Sequence, residues 1–154
     1  MQYTPKGADP LSDFILPIIN GMDMSLVDMM VSRHKGSVQV RLIVYKPGSL
    51  GVNECSKVHH AVLPRLELQF PGQDLYVEVS SPGIDRNIKD ASEFVHYLGR
   101  GIKCYRTDIS DWSAGILESA DDKSLVLKKG DNHMNLSYEI IAKAKLDYLQ
   151  EVES

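Results

Sequence analysis

The sequence predicts an α+β protein: an N-terminal α-β-β-α-β domain on a three-stranded sheet, followed by a small C-terminal β-barrel. Three observations predict it. Apolar residues recur at helical spacing in two stretches before residue 70. Alternating apolar and polar runs lie between and after those stretches. From Arg100 onward, short strand-like runs follow one another closely, with Asp121-Asp122 and Gly130-Asp131-Asn132 supplying turn chemistry between them.

Asp9-Pro10 reads as an N-cap followed by the first helical residue, and Leu11, Phe14, Ile15, Ile18 and Ile19 form the apolar stripe of a first helix that Asn20-Gly21 ends. Pro17 lies inside it and removes one backbone hydrogen bond, which predicts a kinked or short helix. Met24 to Arg33 and Val38 to Tyr45 read as two strands joined by a hairpin at His34-Lys35-Gly36-Ser37. A second helix is expected from about Asn53 to Glu67, with Cys55, Val58, His59, Val62, Leu63 and Leu66 on one broad face. Pro64 limits its last turn. Two helices on one three-stranded sheet then make a layered domain.

The third strand runs into the most specific stretch of the chain, Val77-Glu-Val-Ser-Ser-Pro-Gly-Ile-Asp-Arg86. Leu75, Val77 and Val79 fall on one side of the pleat, and Tyr76, Glu78 and Ser80 on the other. Pro82 and Gly83 are the residues of a type II turn, with Gly83 at the position that needs positive φ. Ile84 offers an apolar anchor, Asp85 an acceptor for backbone N–H groups, and Arg86 a rigid five-donor fork. Such a charged corner ties two domains together, binds a partner, or does both. Ser80, Ser81, Pro82, Gly83, Asp85 and Arg86 are therefore the candidate inter-domain corner and partner-binding residues, with domains of 1–86 and 87–154.

Beyond the corner, Asp90-Ala-Ser-Glu93 has the form of a capping box, opening a short helix from Ser92 to Leu98 that Gly99 stops. Strand-like runs follow at Ile102 to Arg106, Ala114 to Ser119, Ser124 to Lys128, Met134 to Ser137 and Ala144 to Tyr148. Their spacing suits a small barrel, which hides sheet edges by closure.

Bulk properties narrow the function. The 154 residues are 43% hydrophobic and 25% charged, within the range of folded soluble proteins. The apolar stretch Phe14 to Ile19 is far shorter than a membrane span, and Met1 to Pro10 lacks the order of a secretion signal, so a cytoplasmic protein with no membrane partner is expected. Cys55 and Cys104 are too few for a disulfide framework. The net charge of −4 is spread over both halves, so any nucleic-acid contact must be local.

No cofactor is called for. Neither a Walker A nor a dinucleotide fingerprint is present, and Pro47-Gly-Ser-Leu-Gly51 lacks the lysine that reads phosphate. Cys55 and His59 are spaced as half a zinc site whose other half is missing. Asp121-Asp122 falls where Asp makes local turns, so neither this pair nor Asp85 forms a catalytic constellation, and no enzyme is expected. Two basic pairs remain as candidate contacts, Lys103 with Arg106 and Lys128 with Lys129, although alternation puts Lys103 and Arg106 on opposite faces unless a bulge intervenes. Trp112 reads either as a partner anchor or as the cover of one barrel end.

The segment Leu75-Tyr-Val-Glu-Val-Ser-Ser-Pro-Gly-Ile-Asp-Arg86 resembles the signature of the bacterial ribosome maturation factor RimP family. Glu54-Cys55, Val58, Phe94, Leu98-Gly99 and Ile141-Ala-Lys-Ala-Lys-Leu146 extend the likeness over nearly the whole chain. The resemblance implies an SH3-like or Sm-like C-terminal barrel and a role in assembling the small (30S) ribosomal subunit without catalysing a reaction. Its implied partner is the immature small subunit, with a ribosomal protein near the decoding region as one contact and ribosomal RNA as another. No small-molecule substrate is implied. The runner-up function is a general RNA-binding module built on the barrel. The chain departs from the family pattern at Asn87, where proline is usual, at Tyr45, and within Leu50-Gly51-Val52 before the second helix. Asn87 leaves Arg86 free of the extended conformation that a following proline imposes.

Overall fold

The computed structural model describes residues 1–5, 10–47 and 52–153. Asp9, expected as a helix cap, and residues 48–51 lie outside the described residues. By contacts the chain divides into a unit of residues 7–82 and a second unit that joins residues 1–6 to residues 83–154.

In the first unit, helix α1 (Pro10–Asn20) buries Ile15 and Ile19. It runs through Pro17 for 11 residues, longer than the proline suggested, because Pro17 sits on its exposed side. Strands β1 (Ser25–His34) and β2 (Ser37–Tyr45) pair antiparallel, with His34 opposite Ser37. The turn between them is therefore only Lys35-Gly36, and both have positive φ, 42° and 80°, the form that matches strand twist. Helix α2 (Val52–Gln69) continues past Pro64, and β3 (Asp74–Ser80) then pairs parallel to β2. The strand order is β1-β2-β3. Alternation along β2 sends Val38, Val40, Leu42 and Val44 to the helix side, where they meet Ile15, Ile19, Val58, Val62 and Leu66 in one core. Leu75, Val77 and Val79 join that core from β3, while Tyr76 and Glu78 face away, as the alternation predicted.

The second unit is one antiparallel six-stranded sheet. Its strands are β4 (Asn87–Ile88), β5 (Gly101–Arg106), β6 (Asp111–Ala120), β7 (Ser124–Lys129), β8 (Asn132–Ser137) and β9 (Ile141–Leu146). Their order is β4-β9-β5-β6-β7-β8, so the hydrogen-bonded ladder has β4 and β8 at its ends. The last strand begins three residues earlier than Ala144, and the chain beyond it forms the short helix α3 (Leu149–Glu153) rather than continuing as strand to Tyr148. A 3-10 helix, Ala91–Tyr97, lies where a short helix was expected, and Gly99 follows its end at φ 85°. Ile102, Cys104, Leu117, Leu125, Leu127, Leu136 and Leu146 line the buried side of the sheet. Phe94 stacks on Tyr138 there, with ring centroids 5.8 Å apart. Burial pushes the Cys104 thiol up to about 12.

Residues 1–4 belong to this unit, not to the 1–86 domain expected from the sequence, because their partners lie there. Ala91 N–H donates to the Gln2 carbonyl at 2.9 Å, and the Tyr3 ring stacks on Tyr138. Thr4 donates its backbone N–H and its hydroxyl to Asp90. Division by contacts falls at Pro82–Gly83, four residues before the expected joint, for a reason that lies in Arg86.

Candidate functional site

Pro82-Gly83 does not make the type II turn that its residues predict. Gly83 is not among the described residues with positive φ. The reversal lies two residues later, closed by Arg86 N–H donating to the Gly83 carbonyl at 3.1 Å, with Ile84 and Asp85 at its centre. Local turn chemistry yields here to what Arg86 does. Its backbone carbonyl accepts from Leu146 N–H at 3.0 Å, which starts β4 against β9, and its Nε donates to Glu93 Oε1 at 2.9 Å. Both side chains of this ion pair are only 8% exposed. Glu93 also accepts from Lys89 N–H at 3.0 Å, a donor one residue before the Asp90 cap whose own N–H a capping box would engage. The Tyr97 hydroxyl donates to the same carboxylate at 3.4 Å, and burial, then the Glu93 charge, push that hydroxyl well above the ordinary phenol range.

The six corner residues therefore fall into different settings. Ser80 ends β3 opposite Ile43 and is half-buried, as is Pro82. Ser81, Gly83 and Asp85 are exposed. Arg86 is an interior residue of the second unit whose charge Glu93 engages. Ile84, expected to anchor, is 68% exposed instead.

Asp90 caps the 3-10 helix, accepting from Ser92 N–H at 3.0 Å. Burial raises its carboxyl, but hydrogen bonds from Ser92 and Thr4 together outweigh that and hold it below the ordinary carboxylate value. A carboxyl depressed in the folded state contributes stability that is present above its unfolded pKa, near 4, and lost as pH falls through the lower folded value. Asp90→Asn is accordingly expected to flatten the fall of the urea midpoint below about pH 4 while leaving its slope above pH 5 unchanged. Wild type and variant titrating in parallel down to pH 2 would remove Asp90 from this account.

The basic candidates also separate. Arg106 donates to Asp108 from Nε at 3.0 Å and from Nη2 at 2.7 Å, and from Nη1 to the Ser113 hydroxyl at 3.3 Å. Asp108 thus takes up its charge, and the Arg106 hydrogen bonds hold the Asp108 carboxyl low. A register shift between Tyr105 and Arg106 does interrupt the β5–β9 pairing. Lys128 and Lys129 are both exposed but adjacent, so they point to opposite faces. Lys128 lies opposite His133, whose Nδ1 is 2.7 Å from Glu118 Oε2.

Lys103 has different company. Ile102 and Cys104 are buried, so Lys103 and Tyr105 face outward from β5. On β9, Ala144 and Leu146 are buried and Lys143 and Lys145 face outward. Pairing sets Lys145 opposite Lys103 and Lys143 opposite Tyr105. From the other side, Trp112 on β6 lies opposite Tyr105, their rings edge to face at 5.5 Å, and Lys103 Nζ sits 5.1 Å from the Trp112 ring centroid. Trp112 is thus a member of an outer sheet face, 37% exposed, rather than the cover of one end. Sequence reasoning missed Tyr105, Lys143 and Lys145. The alternation of Lys143 and Lys145 was visible, but nothing local tells that β9 pairs with β5.

Elsewhere, possible chemistry is tied down. Asp121 accepts from Lys123 N–H at 2.7 Å and Ser124 N–H at 2.8 Å, the turn role expected of it. His59 Nε2 is 3.1 Å from the Val77 carbonyl. Among the described residues no three His, Cys, Asp or Glu side chains are grouped to hold a metal ion, and no helix is long and apolar enough to cross a membrane. An open cleft of about 480 Å³ beside α1 and α2 is lined by Phe14, Pro17, Ile18, Met22, Ala61 and Arg65.

The class comes first from the fold: an α+β chain in which a helix-backed three-stranded sheet is followed by a six-stranded antiparallel sheet. Residues 14–85, nearly all of the first unit, match the RimP N-terminal domain. That stretch is a RimP N-terminal domain, the domain of a family of ribosome maturation factors.

Proposed function

We propose that this protein binds immature small (30S) ribosomal subunits in the cytoplasm and assists their assembly without catalysing a reaction. The match of residues 14–85 to the RimP N-terminal domain carries this reading. The six-stranded sheet is read as the SH3-like barrel that the family resemblance implies, and a ribosomal protein near the decoding region, together with ribosomal RNA, as the contacts on the subunit. Within the corner, the exposed Ser81, Gly83 and Asp85 are the residues available to a partner, while Arg86 keeps the second unit in shape. Assistance of this kind needs only differential affinity: a protein that binds one arrangement of the precursor better than the others shifts the population toward it.

Co-sedimentation tests the proposal. The purified chain is expected to travel with free small subunits, more strongly with precursors than with mature ones, and not with large subunits or intact ribosomes. Equal association with all of these, or with none, would overturn it.

A further inference from the structure

We propose that the outer face of β5, β6 and β9 is a binding site for single-stranded RNA, an inference that rests on the ribosome-assembly reading for the source of that RNA. The face is assembled from three strands and has one chemical character. Lys103, Lys143 and Lys145 supply positive charge, Tyr105 stands opposite Lys143, and Trp112 flanks Tyr105 and Lys103 from the side away from β9. Lys145 directly opposes Lys103, an arrangement that disfavours the sheet because like charges face each other across a ladder. Arg106, Arg100 and His133 on the same unit each have a carboxylate, in Asp108, Glu151 and Glu118. No described carboxylate forms such a pair with Lys103, Lys143 or Lys145. An external anion is the natural complement to this cluster.

The aromatic rings say which anion. A duplex offers phosphates but keeps its base faces stacked inside, whereas a single strand offers both phosphates and open base faces. Trp112 presents part of its ring to solvent beside the Lys103 ammonium, so a base can stack where a phosphate is neutralised. Lys143 and Lys145 stand about 7 Å apart along their strand, close enough to serve neighbouring phosphates. With the whole chain at −4, attraction is confined to this face and the strand is held by few charges. Three phosphate contacts predict a logarithmic salt slope of about −2 for a single strand.

The test uses the intact chain and a labelled ten-nucleotide uridine RNA, read by anisotropy and by quenching of Trp112, the single tryptophan. Binding is expected to weaken with potassium chloride along a slope of about −2. Lys143→Ala with Lys145→Ala should weaken it roughly tenfold and flatten the slope to about −1, whereas Lys57→Ala, on α2, should change nothing. Lys145→Glu replaces a like-charge pair with an opposite one, so it should abolish binding without lowering the thermal midpoint. Absence of binding overturns the proposal, as does displacement of the RNA by a polyglutamate peptide or an RNA duplex at equal concentration. Failure here is separable from failure of the assembly reading. A chain that sediments with small subunits but ignores the oligonucleotide lacks this site, and one that binds the oligonucleotide but no subunit keeps the site and loses the ribosomal role.

Discussion

Arg86→Ala is expected to destabilise the second unit by about 3–5 kcal/mol, among the larger effects a single substitution has, because it strands a carboxylate that is 8% exposed. Glu93 would keep its hydrogen bonds from Lys89 N–H and Tyr97 but lose the guanidinium charge at its oxygen Oε1. Trp112 lies in the same unit, so its fluorescence in a urea titration reports this unit rather than the first. A double variant, Arg86→Met with Glu93→Gln, should recover a good part of the loss, since the glutamine still accepts from Lys89 and no charge remains buried. A loss under about 1 kcal/mol in Arg86→Ala would mean that water reaches the pair. Any weakening of ribosome association in such variants then follows from damage to the unit, and contact residues must be sought among exposed neighbours such as Asp85.

Gly101→Ala should cost about 3 kcal/mol for a different reason. A Cβ at Gly101 would run into the carbonyl oxygen of Asp147 and come within 2.9 Å of Gln150 Cβ. Backbone has to move, because Asp147 N–H donates to the Gly101 carbonyl at 2.8 Å in the same contact. That contact lies at the end of the β5–β9 ladder, where Ile102 pairs with Leu146, next to the pairing of Lys103 with Lys145. The variant should therefore lower the urea midpoint and weaken oligonucleotide binding together. An unchanged midpoint would show that α3 simply slides away. Both large effects converge on β9: Arg86 anchors β4 beside it, and Gly101 lets β5 close on the residues after it.

Much of this architecture was legible in the sequence, and the exceptions share a cause. Periodicity sufficed for α1, α2 and most strands of both sheets because each pattern is local: Val38, Val40, Leu42 and Val44 alternate whatever they pack against, whereas the two-residue β4 is too short to carry a pattern. The corner misled because Pro82-Gly83 is a strong local turn signal, while the reversal is set by Arg86 reaching Glu93 and Leu146, the latter sixty residues away in sequence. The same holds for the lysine face. Lys103 could be singled out as basic, yet its meaning depends on Lys145 and Trp112 arriving on either side through pairings that no window of residues contains. Arg106 drew equal notice and is held by Asp108, only two residues on, where the fork geometry of the pair could not be read from spacing.

The attachment of residues 1–4 to Ala91, Asp90 and Tyr138 makes the second unit discontinuous, with the first unit as an insert in it. During synthesis the two units are then on different clocks. The three-stranded sheet of the first unit is complete once β3 has emerged, and can form while the rest is still being made. Residues 1–4, made before the first unit, are satisfied almost last, when Tyr138 appears. Until then Tyr3 and Thr4 form an open clasp. A protein proposed to help a ribosomal particle through its unfinished stages thus passes through one of its own, in which a completed unit waits within an incomplete one.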